Sequence, residues 1–416
     1  MKQKKLYFNE VIFGFSLVLY LFTNIFKELT INCFGNYFAL FLLIVANFLL
    51  LIVILKNKVI YKNNLDFSFA CILIFIPCLY KNAYLSDNLY SYFLYYFLSI
   101  LYAVLASFIK FDEKFVKLVF KAFILFAICT SIFSWYSLVF PDSYISIISK
   151  IMPKSLTSEI FLNFKYYKNI MGLTSHYSKN AFYILLGIIC NLYFIIKNKR
   201  ISKISLMVEL FLLITMLVIG KRGHILFLII SASLCYFIYN KSSLKTFIRF
   251  FTIVMFTIII YVILMQFIPE VSNTVNRFFY NTNGDYSNGR IDMYNDAYKL
   301  YKENNYNPIG WGQYAKSTNY THPGLHNDYI QLFYEVGVFG LIIVISSNIY
   351  ILKKSIKKLQ VEKSSTSIII FLYNSFFLMY SLTGLPHYDF EAYMFYFLIN
   401  IFLCCRINKG EIGYEK

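Results

Sequence analysis

Residues 37–55, YFALFLLIVANFLLLIVIL, run without a charge, and apolar blocks of this kind recur along most of the chain. No other feature limits the fold so severely. A helix needs roughly 20 apolar residues to cross the hydrocarbon of a bilayer. Lipid satisfies no backbone polar group, so a continuous apolar block folds there as a helix. Composition agrees. Only 14% of the 416 residues are charged and 59% are hydrophobic, with mean hydropathy +0.59, whereas a soluble domain carries about 25% charged residues. The chain reads as a single all-α polytopic membrane domain over 1–416.

The blocks predict about twelve transmembrane helices, near 10–26, 37–55, 66–80, 89–109, 116–140, 180–197, 204–220, 224–239, 246–268, 328–352, 367–385 and 390–405. Two long hydrophilic segments, 141–179 and 269–327, separate them. Basic residues set the orientation, because cytoplasmic segments collect Lys and Arg. Lys2, Lys4 and Lys5, then Lys56, Lys58 and Lys62, Lys197, Lys199 and Arg200, and Lys353 to Lys363 fall in alternate connections. Both termini and these clusters are assigned to the cytoplasm, so both long segments become outer loops. MKQKK precedes an apolar run with no small-residue cleavage site, so a retained first span is expected rather than a removed signal peptide. The net charge of +18 is distributed as topology signal, not as a patch for nucleic acid.

One short outer turn breaks the charge pattern. IGKRGH, residues 219–224, places Lys221 and Arg222 between the seventh and eighth spans. They are either snorkelling headgroup ligands or positive charge kept there for another use. Inside the spans the main ionisable residues are Lys121 and Glu209, each near a predicted end, which makes a poor ion relay. The eight cysteines lie mostly in apolar runs without zinc spacing, so neither a disulfide framework nor a metal site is expected.

Polar chemistry gathers in the second long loop. Ile291, Tyr294, Tyr298 and Tyr301 recur at helical spacing, with Asp, Asn, Lys and Glu on the other face. The pattern predicts an amphipathic helix on the membrane surface, N-capped by Ser287, with Arg290 in its first turn, ending before Asn307-Pro308 and Gly310-Trp-Gly312. THPGLHNDY follows. His322 and His326 are four apart, but Pro323 and Gly324 oppose a continuous helix that would let them share a metal. His326 stands with Asn327 and Asp328 where the next span enters the membrane. Imidazole is suited to take a proton near neutral pH. In this topology Arg222, Arg290 and His326 all fall on the outer side. Two guanidinium forks suit a diphosphate, and a nearby imidazole suits a sugar hydroxyl.

GKRGHILF, SNGRIDMYNDAYKLYKENNYNPIGWGQY and HNDYIQLFYEVGVFGL resemble the O-antigen ligase and polymerase superfamily of bacterial membrane glycosyltransferases. The similar stretch covers roughly 218–342. The resemblance implies that Arg222 and Arg290 hold diphosphate and that His326 activates the acceptor. Glu335, Gly337 and Gly340 match a Glu-x-Gly-x-x-Gly helix after the His-Asn pair. Lys221 and Asn327 join the expected substrate contacts. GLTSHYSKNAFY resembles a looser family feature that adds Tyr177 and Asn180, with His176 and Lys179 beside them. The implied reaction transfers a glycan from a polyprenyl (undecaprenyl) diphosphate carrier to a glycan hydroxyl at the outer face of the bacterial cytoplasmic membrane. It needs neither metal nor cofactor, and a flippase and a chain-length regulator are its implied partners. A polymerase of capsule, exopolysaccharide or O-antigen repeats is favoured over a ligase. A lipid-linked oligosaccharide flippase is the rival of another class, although its charges would be expected along a central path.

Overall fold

The computed structural model describes residues 2–25, 27–57, 65–86, 90–109, 113–167, 169–197, 202–240, 289–318 and 324–402. The span expected at 246–268, together with Ser287, His322 and Pro323, lies outside them. Among the described residues all regular structure is helical. The first half contains α1 (Lys2–Ile25), α2 (Lys27–Phe34), α3 (Asn36–Asn57), α4 (Leu65–Phe75), α5 (Ala83–Ser86), α6 (Tyr90–Ser107) and α7 (Glu113–Val139). Two helices follow where a hydrophilic loop was expected, α8 (Pro141–Ile151) and α9 (Lys154–Tyr167). Then come α10 (Tyr177–Lys197), α11 (Lys203–Ile219) and α12 (Arg222–Asn240). The last part holds α13 (Arg290–Glu303), α14 (Tyr314–Ser317), α15 (Asp328–Glu362), α16 (Ser365–Tyr380) and α17 (Phe390–Ile401).

Among the described residues six helices are long and apolar enough to cross a membrane: α3, α6, α7, α10, α12 and α15. Val11–Thr23, Leu65–Leu79, Ser365–Tyr380 and Ala392–Ile401 are shorter apolar helices at four more of the expected positions. The molecule is an all-α membrane protein. α10 is the most enclosed of the six, packed against α7, α11 and α16. Against α7, Gly187 faces Ala127 with no room for a Cβ. Small residues at such contacts let backbones approach where lipid gives helices no hydrophobic reason to associate. Polar pairs add specificity. Asn374 and Asn400 exchange two 2.8 Å hydrogen bonds, Trp135 Nε1 donates to Thr215 at 3.0 Å, and Asn47 donates to the Leu98 carbonyl at 3.0 Å. Each is worth about 0.6–2 kcal/mol in a bilayer. Of the two expected intramembrane charges, Glu209 is buried and accepts from Asn191 at 2.8 Å, while Lys121 faces outward.

Alternate ends of the bundle carry different chemistry. At one end Lys363 Nζ lies 5.3 Å over the Tyr239 ring and Lys354 pairs with Asp66 at 3.4 Å. There α15 continues ten residues beyond the expected span end at 352, reaching Glu362, so the Lys-rich stretch is helix rather than loop. At the other end α10, α12 and α15 begin and α11 and α16 finish. The segment 141–167 lies near this second end as a helical pair. Its Tyr144, Ile148 and Met152 pack with Ile160 and Met171, and the Tyr144 hydroxyl donates to the Gly172 carbonyl at 2.8 Å.

Candidate active site

Lys221 is the hub of the second end. α11 stops at Gly220, whose left-handed backbone (φ 74°) is readily accepted by glycine, and α12 restarts at Arg222 after a single residue. This tight connection puts two cations at a helix junction. Lys221 Nζ lies 4.8 Å over the ring of Tyr177, the first residue of α10. Burial pulls the Lys221 ammonium below the ordinary lysine value. Tyr177 opposes that shift, while Arg290 and Arg222 add to it. His326 is held below the ordinary histidine value first by burial, then by Arg290 and Lys221. Its side chain nonetheless keeps an exposed edge, so the two cations are the firmer cause. His176 is pushed down to about 4 by burial, with Lys221, Lys179 and His326 contributing. These mutual influences tie residues from four separate stretches of sequence into one cationic cluster: His176 to Lys179, Lys221 to Arg222, Arg290, and His326.

α13 presents Arg290 as its first residue. The N-cap is Gly289, left-handed at φ 76°, with no side-chain cap among the described residues, rather than the expected Ser287. The buried face also differs. Met293, Tyr294, Ala297, Leu300 and Tyr301 pack toward Tyr314, Leu325 and Tyr334, whereas Ile291 and Tyr298 point outward. The expected tyrosine stripe was rotated because Met293 and Ala297, not Ile291 and Tyr298, meet the α15 side. α13 ends as Asn305 and Tyr306 adopt left-handed backbone, with Tyr306 N–H returning to the Tyr301 carbonyl at 2.9 Å.

The Pro/Gly turn after α13 is docked by a break in α15. Gly337 has φ 74° and ψ −179°, which interrupts the helix. The Tyr334 and Glu335 carbonyls accept instead from Ile309 N–H at 3.1 Å and Gly310 N–H at 2.8 Å. The fully buried Glu335 carboxylate accepts from the Gly312 and Tyr314 N–H groups at 2.7 and 2.9 Å. Trp311 stacks on Tyr388 at 4.4 Å and bonds through its backbone to Tyr80 and Ala83. The Glu-x-Gly pattern is thus the socket for the IGWGQY loop. A Cβ on Gly337 would come 2.7 Å from Pro308.

His326 precedes α15 in left-handed backbone (φ 53°). Asn327 is the N-cap: its Oδ1 accepts from Ile330 N–H at 3.1 Å, and its Nδ2 donates to the Leu382 carbonyl at 3.1 Å. Asp328 is fully buried. Its backbone N–H donates to the Ser381 and Gly384 carbonyls, and its Oδ2 meets His387 Nδ1 at 2.7 Å and accepts from His387 N–H at 3.1 Å. Beyond His387 the chain of contacts runs to Asn348 at 3.0 Å, which accepts from the Tyr396 hydroxyl at 2.9 Å. Asp328 and His387 therefore clamp the 381–387 turn to the base of the His326 stem.

Asn180 stands behind the cluster rather than on its wall. It is fully buried, accepts from Thr130 at 2.9 Å and donates to Ser134 at 2.9 Å and to the Ile170 carbonyl at 3.1 Å. It shapes the 170–174 turn, where Gly172 is left-handed and hemmed in by Thr130 and Asn180. His224 is enclosed below Lys221, ring edges against Phe376 and Tyr380. A separate apolar groove of about 1010 Å³ opens between α4, α6 and α15, lined by Leu65, Phe69, Leu73, Phe108 and Ile343. It lies toward the Lys354 end, away from the cations, and contributes nothing to their chemistry.

A family model described as O-antigen ligase matches residues 207–345, from α11 through the broken half of α15. Over that stretch, about a third of the chain, the sequence is similar to the O-antigen ligase family. Comparison with curated proteins finds no match. The matched stretch holds Lys221, Arg222, Arg290, His326 and the Glu335 socket, while His176, Tyr177 and His387 come from outside it. Pro386-His387-Tyr388-Asp389, an abrupt polar run between two apolar blocks, is the sequence signal for His387.

Proposed function

We propose that the chain is a glycosyltransferase that joins polyprenyl-diphosphate-linked repeat units, with its cationic cluster on the outer face of the bacterial cytoplasmic membrane. The observation that carries this reading is the convergence of Arg290 and Lys221 on one exposed imidazole, His326, with Arg222 acting beside Lys221. In this reading the cations bind the diphosphate. The acceptor hydroxyl oxygen attacks the anomeric carbon, and the bond from that carbon to the diphosphate oxygen breaks. The bonding pair leaves with the diphosphate, where the arginines offset its charge. His326 takes the hydroxyl proton and later returns it to water. The six long helices, the shorter apolar ones, α11 and the segment 246–268 would make twelve crossings. Asn327, Asn180 and Glu335 act by shaping the backbone around the cluster, and Tyr177 by seating Lys221.

Ligation to a different acceptor is the second reading, favoured by the description of the matched family model. Glycan length in a deletion strain separates them. Loss of a polymerase leaves single repeat units on the final acceptor, while loss of a ligase leaves polymer on the lipid carrier. Repeat units trapped at the inner face would instead indicate a flippase and overturn both.

A further inference from the structure

His176 occupies the N-cap position of α10, immediately before Tyr177. Its Nδ1 accepts the Ser178 N–H at 3.1 Å, and its carbonyl accepts from Thr174 Oγ1 at 2.9 Å and Asn180 N–H at 3.1 Å. A backbone N–H can only donate, so Nδ1 carries no proton and the ring proton sits on Nε2. Protonating Nδ1 would break the cap and place a third positive charge beside Lys221 and Lys179. The ring is therefore fixed as neutral, with one N–H. Among the described residues Nε2 has no hydrogen-bond partner, and it is not one of the fully enclosed polar atoms. Capping alone does not call for imidazole, since Asn, Asp and Ser are the preferred N-caps. The imidazole adds an outward donor within electrostatic reach of His326 and Lys221.

We propose that His176 is a second hydrogen-bond donor of the site, its Nε2–H binding an oxygen of the departing diphosphate. This rests on the reading of the cluster as a lipid-diphosphate glycosyltransferase site. A neutral donor adds a hydrogen bond to the leaving group without adding repulsion to four nearby cations. It also divides the two histidines by role. His326, exposed and beside Arg290, accepts a proton; His176, tied to a helix end, only donates a hydrogen bond.

The test compares H176N, H176S and H326A in purified full-length protein, using a polyprenyl-diphosphate-linked oligosaccharide as donor and polyprenyl diphosphate as product inhibitor. Asn and Ser keep the cap but lack the extended donor. The expected result for both is unchanged thermal unfolding in detergent, turnover lowered by about 10²-fold, and weaker inhibition by polyprenyl diphosphate. H176N and H176S at wild-type turnover and inhibition, with H326A inactive, would overturn the donor role of His176 and leave the cluster's function standing. All three at wild-type turnover would overturn the function itself.

Discussion

His326 combines three features that suit a base. It keeps an exposed edge, it stands in left-handed backbone at the mouth of α15, and its imidazole is held below the ordinary value by burial, Arg290 and Lys221. The neutral, proton-accepting form therefore prevails above a pKa that lies under 6.5. Activity should fall only as pH drops through that lowered value, giving an acid limb below pH 6.5 in kcat/KM. R290A removes one of the cations that lower it, so the limb should move to higher pH. Bound diphosphate offsets the same cations, so the limb in kcat should lie above that in kcat/KM. A limb unmoved by R290A would detach His326 from the cluster. Beneath it, H387A leaves the buried Asp328 carboxylate without its 2.7 Å partner. Leaving a buried polar group without its hydrogen-bond partner costs about 1–3 kcal/mol. The variant should unfold at lower temperature in detergent, read by fluorescence melting, and H387A melting like wild type would contradict the clamp.

At the scale of elements, the break in α15 matters more than its length. Gly337 turns two helix carbonyls outward to receive Ile309 and Gly310, and Glu335 holds the next two N–H groups of the same loop. G337A would put a Cβ on backbone at φ 74° and ψ −179°, an essentially glycine-only conformation that costs about 1–3 kcal/mol, with a 2.7 Å approach to Pro308. It should lower both the melting temperature and turnover. E335Q offers one carbonyl where two N–H groups now find carboxylate oxygens, so one donor is left unmet at a cost of about 1–3 kcal/mol. Wild-type melting of E335Q would show that the loop is held by other contacts. This element also shows what sequence reading can reach. The apolar blocks announced their helices, and the His-Asn to Gly-Gly run lies within the stretch matched by the family model. The bond between Glu335 and a loop more than twenty residues upstream had no periodic signal, because it depends on a helix failing at Gly337. The buried face of α13 differs from the expected one for a related reason: tyrosines suit either water or protein, so their spacing does not reveal which side meets α15.

At the scale of the whole molecule, the fold gathers cations at one end of an apolar bundle and separates them from the Lys-rich stretch of α15 at the other. Lys363 against Tyr239 and Lys354 against Asp66 fix that opposite end. His387 could not be assigned to the site by order along the chain, since the turn after α16 reaches it only through packing. In the proposed reading, the four elements meeting at this charged mouth let a lipid-anchored anion stay in the bilayer while its head reacts in water. The most direct measurement is reaction of purified protein with a polyprenyl-diphosphate-linked oligosaccharide, counting lengthened glycan and released polyprenyl diphosphate together. The account predicts equal amounts of both from wild type, a loss of on the order of 10²–10⁴-fold in H326A, and a comparable loss in R290A, with each variant folded. Undiminished glycan formation by folded H326A and R290A would contradict it.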